Sequence, residues 1–328
     1  MDRIDVALIG AGRMGQIHGS NAALHPHLRL KSIVEPRAGA AAGLCERFGA
    51  SLAPLDEVLA DPAIAGVLVC SVTSEHLDHA LAAVEAGKAV FCEKPIDLDL
   101  QRVLAARPRF DGARFLLGFN RRFDPHFLAL RAKLRSGAVG RLEALHLVNF
   151  DPESPPPGFI PTSGGLFKDF TIHDLVMARW LLDEEPASVY ASASCLVDPM
   201  IGELGDVDTS RVVLRTASGR LCVISNTRRS GYGYDQRIEA YCSGGLLCAG
   251  NPALDSVQRL DAQGSHGAPI HPGFAARYTE AYRAQIHHFA DVLLGDAKAA
   301  IGYDDGVSAL VLAEACGASM RSGQAITL

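Results

Sequence analysis

The sequence predicts a two-domain α/β protein, and three observations lead to this fold class. The chain has 328 residues, about twice the length of a typical domain, and 48% of them are hydrophobic. Up to about Asn120, short apolar runs alternate with segments of helical period, as in a doubly wound parallel sheet. After Asn120, alternating strands and turn signals indicate an α+β domain with a large open sheet, mixed or antiparallel. We therefore divide the chain into domains 1–121 and 122–328.

The first domain contains five predicted strands and two predicted helices. Each predicted strand is a short run rich in Val, Ile, Leu or Phe, whereas the helices show apolar residues three and four positions apart. The strands are predicted over residues 4–9, 28–34, 66–71, 89–92 and 115–119, and the helices over residues 75–86 and 98–107.

The second domain begins with a helix over residues 125–136, which Gly137 ends. Alternation of apolar and polar residues predicts strands over residues 141–150, 188–196, 210–214, 221–226 and 236–241, and helical spacing predicts a last helix over residues 307–320. Residues 152–158 include four prolines, which predict a stiff extended loop.

The composition argues against several classes of protein. The 31 Lys and Arg residues face 37 Asp and Glu residues, so the net charge of −6 does not favour a nucleic-acid partner. The longest apolar stretches, such as residues 63–70, are far shorter than a membrane-spanning helix. The start Met1-Asp2-Arg3 does not resemble a secretory signal, and the eight cysteines are scattered without a CxxC motif. We therefore expect a cytoplasmic protein with reduced cysteines and no metal site.

A glycine-rich turn after the first strand predicts a dinucleotide site. In Gly10-Ala11-Gly12-Arg13-Met14-Gly15, the first glycine permits a tight turn, the second lets backbone N–H groups approach a pyrophosphate, and the third allows close helix packing. The helix N-terminus that follows favours an anion. The alternative is a glycine-rich turn in a fold that binds no ligand.

Glu35 lies twenty residues after Gly15, at the end of the second strand. A carboxylate at this position accepts hydrogen bonds from the ribose hydroxyls of NAD and repels the 2′-phosphate of NADP. Arg37 could compensate for part of that repulsion or stack on the adenine. The sequence therefore favours NAD, with NADP as the alternative.

Two further segments carry ionisable side chains where chemistry is expected. Lys94 follows the strand over residues 89–92, and ligands bind at the carboxyl ends of parallel strands. Asp169 and His173 are four residues apart on a predicted helix, so both project from one face, and the apolar stripe continues through Met177 and Trp180, which we expect to be buried. The alternatives are a surface lysine and an ordinary ion pair on a solvated helix.

The chain resembles the glucose-fructose oxidoreductase, inositol dehydrogenase and rhizopine catabolism (Gfo/Idh/MocA) family, and within it the inositol 2-dehydrogenases. The resemblance spans nearly the whole chain. The motifs that carry it are IGAGRMGQIH, AGKAVFCEKPI, GFNRRFDPHF, SGGLFKDFTIHDLVMARWL, GYGYDQR at residues 231–237 and RYTEAYRAQ at residues 277–285. The chain departs from the pattern at Asn120, where relatives often have Met, and at Phe150, where they often have a basic residue.

The resemblance implies a Rossmann domain and an NAD-dependent oxidation of a secondary alcohol on a cyclic polyol, myo-inositol to its 2-keto inosose. It implies Lys94, Asp169 and His173 as catalytic residues, with His173 as the general base. We assign cofactor binding to Gly10, Gly12, Arg13, Met14, Gly15, Glu35, Arg37, Ser71, Thr73, His76, Glu93 and Lys94. We assign substrate binding to Lys94, Arg122, Asn149, Asp151, Asp169, His173, Tyr234 and Tyr278.

The sequence leaves several alternative functions open. The same chemistry can act on another inositol isomer or a sugar, and a dinucleotide-binding sensor would keep the fold without turnover. A metal-dependent hydrolase using Asp169, His173 and Asp174 is a further alternative, although ligands from one helix make a weak metal site. The resemblance also implies a homo-oligomer, dimer or tetramer, formed through the open face of the second domain's sheet.

Overall fold

The computed structural model describes residues 3–328 and divides the chain into two compact units. The first unit contains the chain up to Phe123 together with Glu280–Leu310, and the second contains Asp124–Thr279 and Val311–Leu328. The chain thus passes between the units three times, whereas the sequence placed one boundary, after residue 121. Met1 and Asp2, which entered the expectation about export, lie outside the described residues.

The first unit is built on a six-stranded parallel sheet. Its strands follow the order β3-β2-β1-β4-β5-β6, in which each half of the sheet is wound outward from the centre. The strands are β1 (Ile4–Ile9), β2 (Leu28–Val34), β3 (Ser51–Leu52), β4 (Ile64–Val69), β5 (Ala89–Cys92) and β6 (Phe115–Leu117). The helices are α1 (Arg13–Leu24), α2 (Ala38–Phe48), α3 (Leu55–Ala60), α4 (His76–Glu85) and α5 (Leu100–Ala106).

The second unit is built on a seven-stranded mixed sheet of order β12-β11-β7-β10-β9-β8-β15, in which β7 and β10 are parallel. Its helices are α6 (Pro125–Arg135), α7 (Ile160–Ser163), α8 (Ile172–Leu182), α9 (Pro199–Glu203) and α10 (Phe274–Arg277). Its strands are β7 (Leu142–Phe150), β8 (Pro186–Ser194), β9 (Thr209–Thr216), β10 (Leu221–Thr227), β11 (Asp235–Cys242), β12 (Gly245–Ala249) and β15 (Ile326–Thr327), and β13 (Gln258–Asp261) pairs with β14 (Gly264–Gly267) as a separate hairpin.

Burial along the strands explains the two kinds of sheet. In β1, five consecutive residues are buried, as expected for a parallel strand covered on both faces. In β9, buried Val212 and Leu214 alternate with exposed Arg211, Val213 and Arg215, so one face packs inward and the other faces solvent. The predicted fold class is confirmed in both domains.

Two long helices complete the fold, α11 (Thr279–Leu294) and α12 (Tyr303–Ser322). Helix α11 packs against the sheet of the first unit, where the Phe289 ring lies 6.1 Å from the Phe91 ring. Gly66 on β4 makes room for this helix, because a Cβ there would lie 2.8 Å from Leu293 Cδ2. This packing accounts for the place of residues 280–310 in the first unit. No helix in residues 3–328 is long and apolar enough to cross a bilayer.

Candidate functional site

The glycine turn between β1 and α1 has the geometry that each of its glycines requires. Gly10 has φ 90°, and a Cβ on it would lie 2.5 Å from the Cys70 carbonyl oxygen. A Cβ on Gly15 would lie 2.1 Å from the Gly10 carbonyl oxygen, so only glycine permits this close packing. A Cβ on Gly12, at the start of α1, would meet no neighbouring side chain or strand within 4 Å, so the backbone is approachable there.

Glu35 ties the end of β2 to this turn. Its Oε2 accepts a hydrogen bond from the Ala11 N–H at 2.8 Å, and its Oε1 accepts one from the Arg37 N–H at 3.0 Å. Burial raises the pKa of Glu35, but these backbone bonds and the Arg37 guanidinium outweigh it, so the net pKa is lowered. An ionised carboxylate beside an open helix N-terminus fits a dinucleotide whose ribose hydroxyls donate to it.

Lys94 lies two residues after the end of β5 and is half-buried, and its peptide bond to Pro95 is cis. Its backbone N–H donates to Glu93 Oε2 at 3.1 Å, while Glu93 Oε1 lies 2.6 Å from His18 Nε2 on α1. Glu93, which the sequence assigned to cofactor binding, is therefore a buried link between Lys94 and α1. Sequence analysis did not single out His18, although it lies one helical turn after Gly15.

His76 occupies an interior position after β4. It is 3% exposed, its Nδ1 lies 2.8 Å from the Pro95 carbonyl oxygen, and its Nε2 lies 3.1 Å from the Ser71 carbonyl oxygen. His76 thus joins the segments that follow β4 and β5. Thr73 begins the short 3₁₀ turn before α4, and the Ser71 hydroxyl lies 3.0 Å from His79 Nδ1.

In the second unit, Asp169 lies in a π-helical turn, Phe167–Thr171, which leads into α8, and His173 is the second residue of α8. The sequence predicted one regular α-helix over this stretch. The turn widens where Phe167 and Phe170 are both buried and the Thr171 hydroxyl donates to Asn226 Oδ1 at 2.7 Å. Such π-turns are frequent at functional sites. Further along α8, Met177 is buried as predicted, whereas Trp180 is only half-buried.

Arg228, just after β10, pairs with Asp169. Its Nη2 donates to Asp169 Oδ2 at 3.3 Å, and the Arg228 side chain is 2% exposed while that of Asp169 is 18% exposed. The guanidinium carbon lies 5.5 Å from the centre of the Phe170 ring. Sequence analysis missed Arg228, although it directly precedes the segment that leads into the GYGYDQR motif.

A buried chain of polar side chains supports α8 from the sheet. Asp174 Oδ2 accepts hydrogen bonds from Asn149 Nδ2 and Asn226 Nδ2, both at 2.8 Å. The Gln236 amide donates to Asn149 Oδ1, and the Tyr278 hydroxyl lies 3.4 Å from Gln236 Oε1. Asn149, assigned to substrate binding from the resemblance, is fully buried and holds Asp174.

The remaining substrate-assigned residues lie as follows. The Tyr234 and Tyr278 rings are both buried and meet edge to face, with 5.9 Å between their centres. Asp151 follows β7, and its backbone bonds to Thr227 and Ser230. Arg122, in the first unit, lies 3.4 Å from Asp305 Oδ1 and donates to the Ala300 carbonyl oxygen at 2.9 Å.

The predicted site residues therefore fall into two groups, one in each unit. In the first unit, the glycine turn, Glu35, His76 and Lys94 follow the carboxyl ends of β1, β2, β4 and β5. Comparison with known families agrees with this division. Residues 4–107 match the family described as "Oxidoreductase family, NAD-binding Rossmann fold", and residues 127–248 match the "GFO/IDH/MocA C-terminal domain".

The chain belongs to the Gfo/Idh/MocA family. The inositol 2-dehydrogenase of Rhizobium meliloti (strain 1021) is 41% identical over 323 residues, which cover 98% of each chain. A solved structure of a myo-inositol dehydrogenase from Corynebacterium glutamicum is 40% identical, covers 99% of each chain and superposes with a TM-score of 0.95. The scyllo-inositol 2-dehydrogenase (NAD(+)) of Bacillus subtilis (strain 168) is 32% identical over 331 residues, covering 99% of this chain and 96% of the relative. This Gfo/Idh/MocA protein is thus an NAD-dependent oxidoreductase of the inositol 2-dehydrogenase-like type.

Proposed function

We propose that this protein is an inositol 2-dehydrogenase that oxidises a secondary alcohol of myo-inositol to the 2-keto inosose with NAD. The observation that carries the proposal is that Lys94, Asp169 and His173 are all present in a chain similar to an inositol 2-dehydrogenase over 98% of its length. Loss of any of the three would have favoured a dinucleotide-binding sensor without turnover.

The residues of the first unit fit NAD better than NADP. The glycine turn with Arg13 and Met14 would hold the pyrophosphate, and Glu35 would accept hydrogen bonds from the ribose hydroxyls. Arg37 supports this preference, because its guanidinium lies 3.3 Å from Glu35 Oε1 rather than offering an unpaired cation to a 2′-phosphate. When bound, NAD supplies the hydride acceptor of the oxidation.

We assign the proton chemistry to His173, Asp169 and Lys94. His173 accepts the substrate hydroxyl proton as general base. Asp169 orients the imidazole and stabilises the imidazolium as it forms. Lys94 hydrogen-bonds the reacting oxygen and stabilises the negative charge that develops on it.

The test is a panel of myo-inositol, scyllo-inositol, inososes and aldoses assayed with NAD and NADP by the absorbance of the reduced nicotinamide. We expect fastest turnover with myo-inositol and NAD. His173→Ala should lower kcat by about 100- to 10,000-fold while the dissociation constant of NAD changes little. His266→Ala, at an exposed histidine of β14, is the matched control.

Each outcome of this panel separates the proposal from an alternative. Faster turnover of scyllo-inositol or an aldose would move the substrate within the same reaction class. Binding of NAD without turnover of any polyol would favour the sensor. Unchanged turnover in His173→Ala would remove His173 from the mechanism. Among residues 3–328, no three His, Cys, Asp or Glu side chains are grouped to hold a metal ion, so no observation favours the hydrolase.

A further inference from the structure

We propose that Arg228 is a positioning residue for this reaction, holding the Asp169 carboxylate fixed in direction so that Asp169 can act on His173. The inference rests on the proposed function, in which Asp169 and His173 handle the substrate proton. Arg228 contacts the π-turn, Phe167–Thr171, from outside the motif that the sequence predicted.

Burial determines what the partner of Arg228 must be. A guanidinium stays protonated in a protein, and a buried charge is costly unless a counter-charge lies against it. Among the described residues, Asp169 is the carboxylate that pairs with Arg228, with 3.3 Å between Nη2 and Oδ2. The Arg228 side chain is 2% exposed, so water cannot solvate the guanidinium in place of this carboxylate. The Asp169 carboxylate is therefore tied to Arg228.

Arg228 contacts the π-turn, Phe167–Thr171, at two points and the segment before β9 at a third. Its guanidinium lies over the ring of Phe170, which belongs to the same π-turn as Asp169. Its backbone N–H donates to the Asp208 carbonyl oxygen at 2.9 Å, which anchors the residue beyond the end of β10. A shift of Arg228 would therefore move the carboxylate and the aromatic ring of this turn together.

Stability alone does not account for an arginine at this position. The buried Nε of Arg228 makes no hydrogen bond within residues 3–328, and an unfilled buried donor lowers stability. Buried ion pairs are often no more stabilising than apolar side chains of similar volume. The effect of Arg228 on Asp169 therefore explains an arginine at this position better than stability does.

The neighbouring charged side chains make other contacts. Lys168 lies 3.0 Å from Glu314, and Asp174 accepts from Asn149 and Asn226. Asp206 and Asp208, on the segment before β9, accept backbone N–H groups of Leu166 and of residues 196–198. Arg228 is thus a cation bonded to Asp169, with the carboxylates of Asp206 and Asp208 on the neighbouring segment.

The pairing has a consequence for the general base. A carboxylate neutralised by Arg228 stabilises the His173 imidazolium less than an unpaired carboxylate does. Removing the positive charge of Arg228 should raise the pH at which His173 loses its proton. The acid limb of the kcat/KM profile should therefore move to higher pH. It should also loosen Asp169, which lowers kcat more than it changes the KM of NAD.

The experiment compares Arg228→Gln and Arg228→Lys with Arg229→Gln, a control at the exposed neighbouring arginine. We expect Arg228→Gln to lower kcat by about 10- to 100-fold and to move the acid limb upward by roughly 0.5 to 1 on the pH scale. Arg228→Lys retains the charge, so its acid limb should lie at the same pH as that of the wild type. Its kcat should lie between those of Arg228→Gln and the wild type. Arg229→Gln should match the wild type. If Arg228→Gln has the same kcat and the same pH dependence of kcat/KM as the wild type, the proposal is overturned.

A second measurement separates this proposal from the proposed function. The titration midpoint of His173 is followed by NMR on ¹⁵N-histidine-labelled protein, assigned with His173→Gln, in the wild type and both Arg228 variants. A higher midpoint in Arg228→Gln supports the proposal even if the wild type turns over no polyol, and an unchanged midpoint overturns it. If Arg228→Gln does not fold, the His173 midpoint is compared in Arg228→Lys, Asp169→Asn and the double variant. Additive effects of the two substitutions on this midpoint would contradict the pairing of Arg228 with Asp169.

Discussion

Lys94 is the residue of the first unit whose side chain we place on the reacting oxygen. It is half-buried after β5, and its backbone is held by buried Glu93. We predict that Lys94→Ala lowers kcat by about 100- to 1,000-fold, the effect of losing one donor to a developing oxyanion. Steady-state kinetics, with the NAD dissociation constant measured separately, would show it. Lys298→Ala is the control at an exposed lysine, and near-normal kcat in Lys94→Ala would return Lys94 to a surface role.

Glu35 decides, in our interpretation, between the two nicotinamide cofactors. Its pKa is lowered by the backbone N–H groups of Ala11 and Arg37 despite burial, so it is an anion at neutral pH. Glu35→Ser should narrow the ratio of kcat/KM for NAD to that for NADP, because the anion that repels a 2′-phosphate is gone. Glu46→Ser, on α2, provides an exposed glutamate as control. An unchanged ratio in Glu35→Ser would show that the ribose of the cofactor does not bind at Glu35.

Helices α1 and α11 meet at a pair of histidines. His25 Nε2, at the end of α1, lies 3.0 Å from His287 Nδ1 on α11. Burial, followed by the charges of His287 and His27, lowers the pKa of His25 from 6.5 to about 4. The unfolded chain therefore binds more protons between those pH values, so this contribution to stability is full above pH 6.5 and is lost as the pH falls toward about 4.

We predict that His25→Gln makes the Tm less dependent on pH across this window. Thermal unfolding followed by circular dichroism from pH 7.5 down to about 4 would measure the slope, whatever the Tm of the variant at neutral pH. His266→Gln removes an exposed histidine and should leave the slope unchanged. Parallel curves for His25→Gln and the wild type would contradict the assignment.

The π-turn Phe167–Thr171 and helix α8 show how far spacing predicts an element. The four-residue separation of Asp169 and His173 predicted a helix with both side chains on one face, and α8 does begin at Ile172. The π-turn that holds Asp169 was not predictable from spacing, and the partner of its Thr171 hydroxyl, Asn226, lies more than fifty residues away in the sequence. Local periodicity contains no information about such a partner.

At the scale of the whole molecule, one face of the seven-stranded sheet remains exposed. The strand register places Tyr190, Val213 and Val223 side by side on β8, β9 and β10, on the face opposite buried Leu214 and its neighbours. The large apolar side chains exposed on these strands and on β11 and β12 are Tyr190, Val213, Leu221, Tyr241 and Leu246. Apolar patches of this kind are typical of protein interfaces.

We predict that the protein is a dimer or tetramer and that Val213→Asp shifts it toward the monomer, because a charge on this face opposes its burial. Size-exclusion chromatography with light scattering over a range of concentrations would measure the mass. Leu128→Asp, at an exposed leucine of α6, is the control. A monomeric wild type, or an unchanged mass in Val213→Asp, would exclude this face as the interface.

The sequence by itself determined the fold class, most strands and the family. Strands β1, β2 and β5 match the predicted ranges, because short apolar runs between turns specify buried strands locally. The glycine turn was equally readable, since its requirements lie within six consecutive residues. These features depend on neighbours along the chain, so a linear pattern contains them.

Only the tertiary structure decided which side chains hold the predicted site residues. Asp169 bonds to Arg228, Asn149 lies beneath Asp174, and Glu93 pairs with His18, each across a long separation in the sequence. Residues 280–310 likewise belong to the first unit because α11 fits over Gly66. The physical reason is the same in each case: buried polar and charged groups must find partners, and packed surfaces must match in shape, and both conditions are met by residues that only folding brings together.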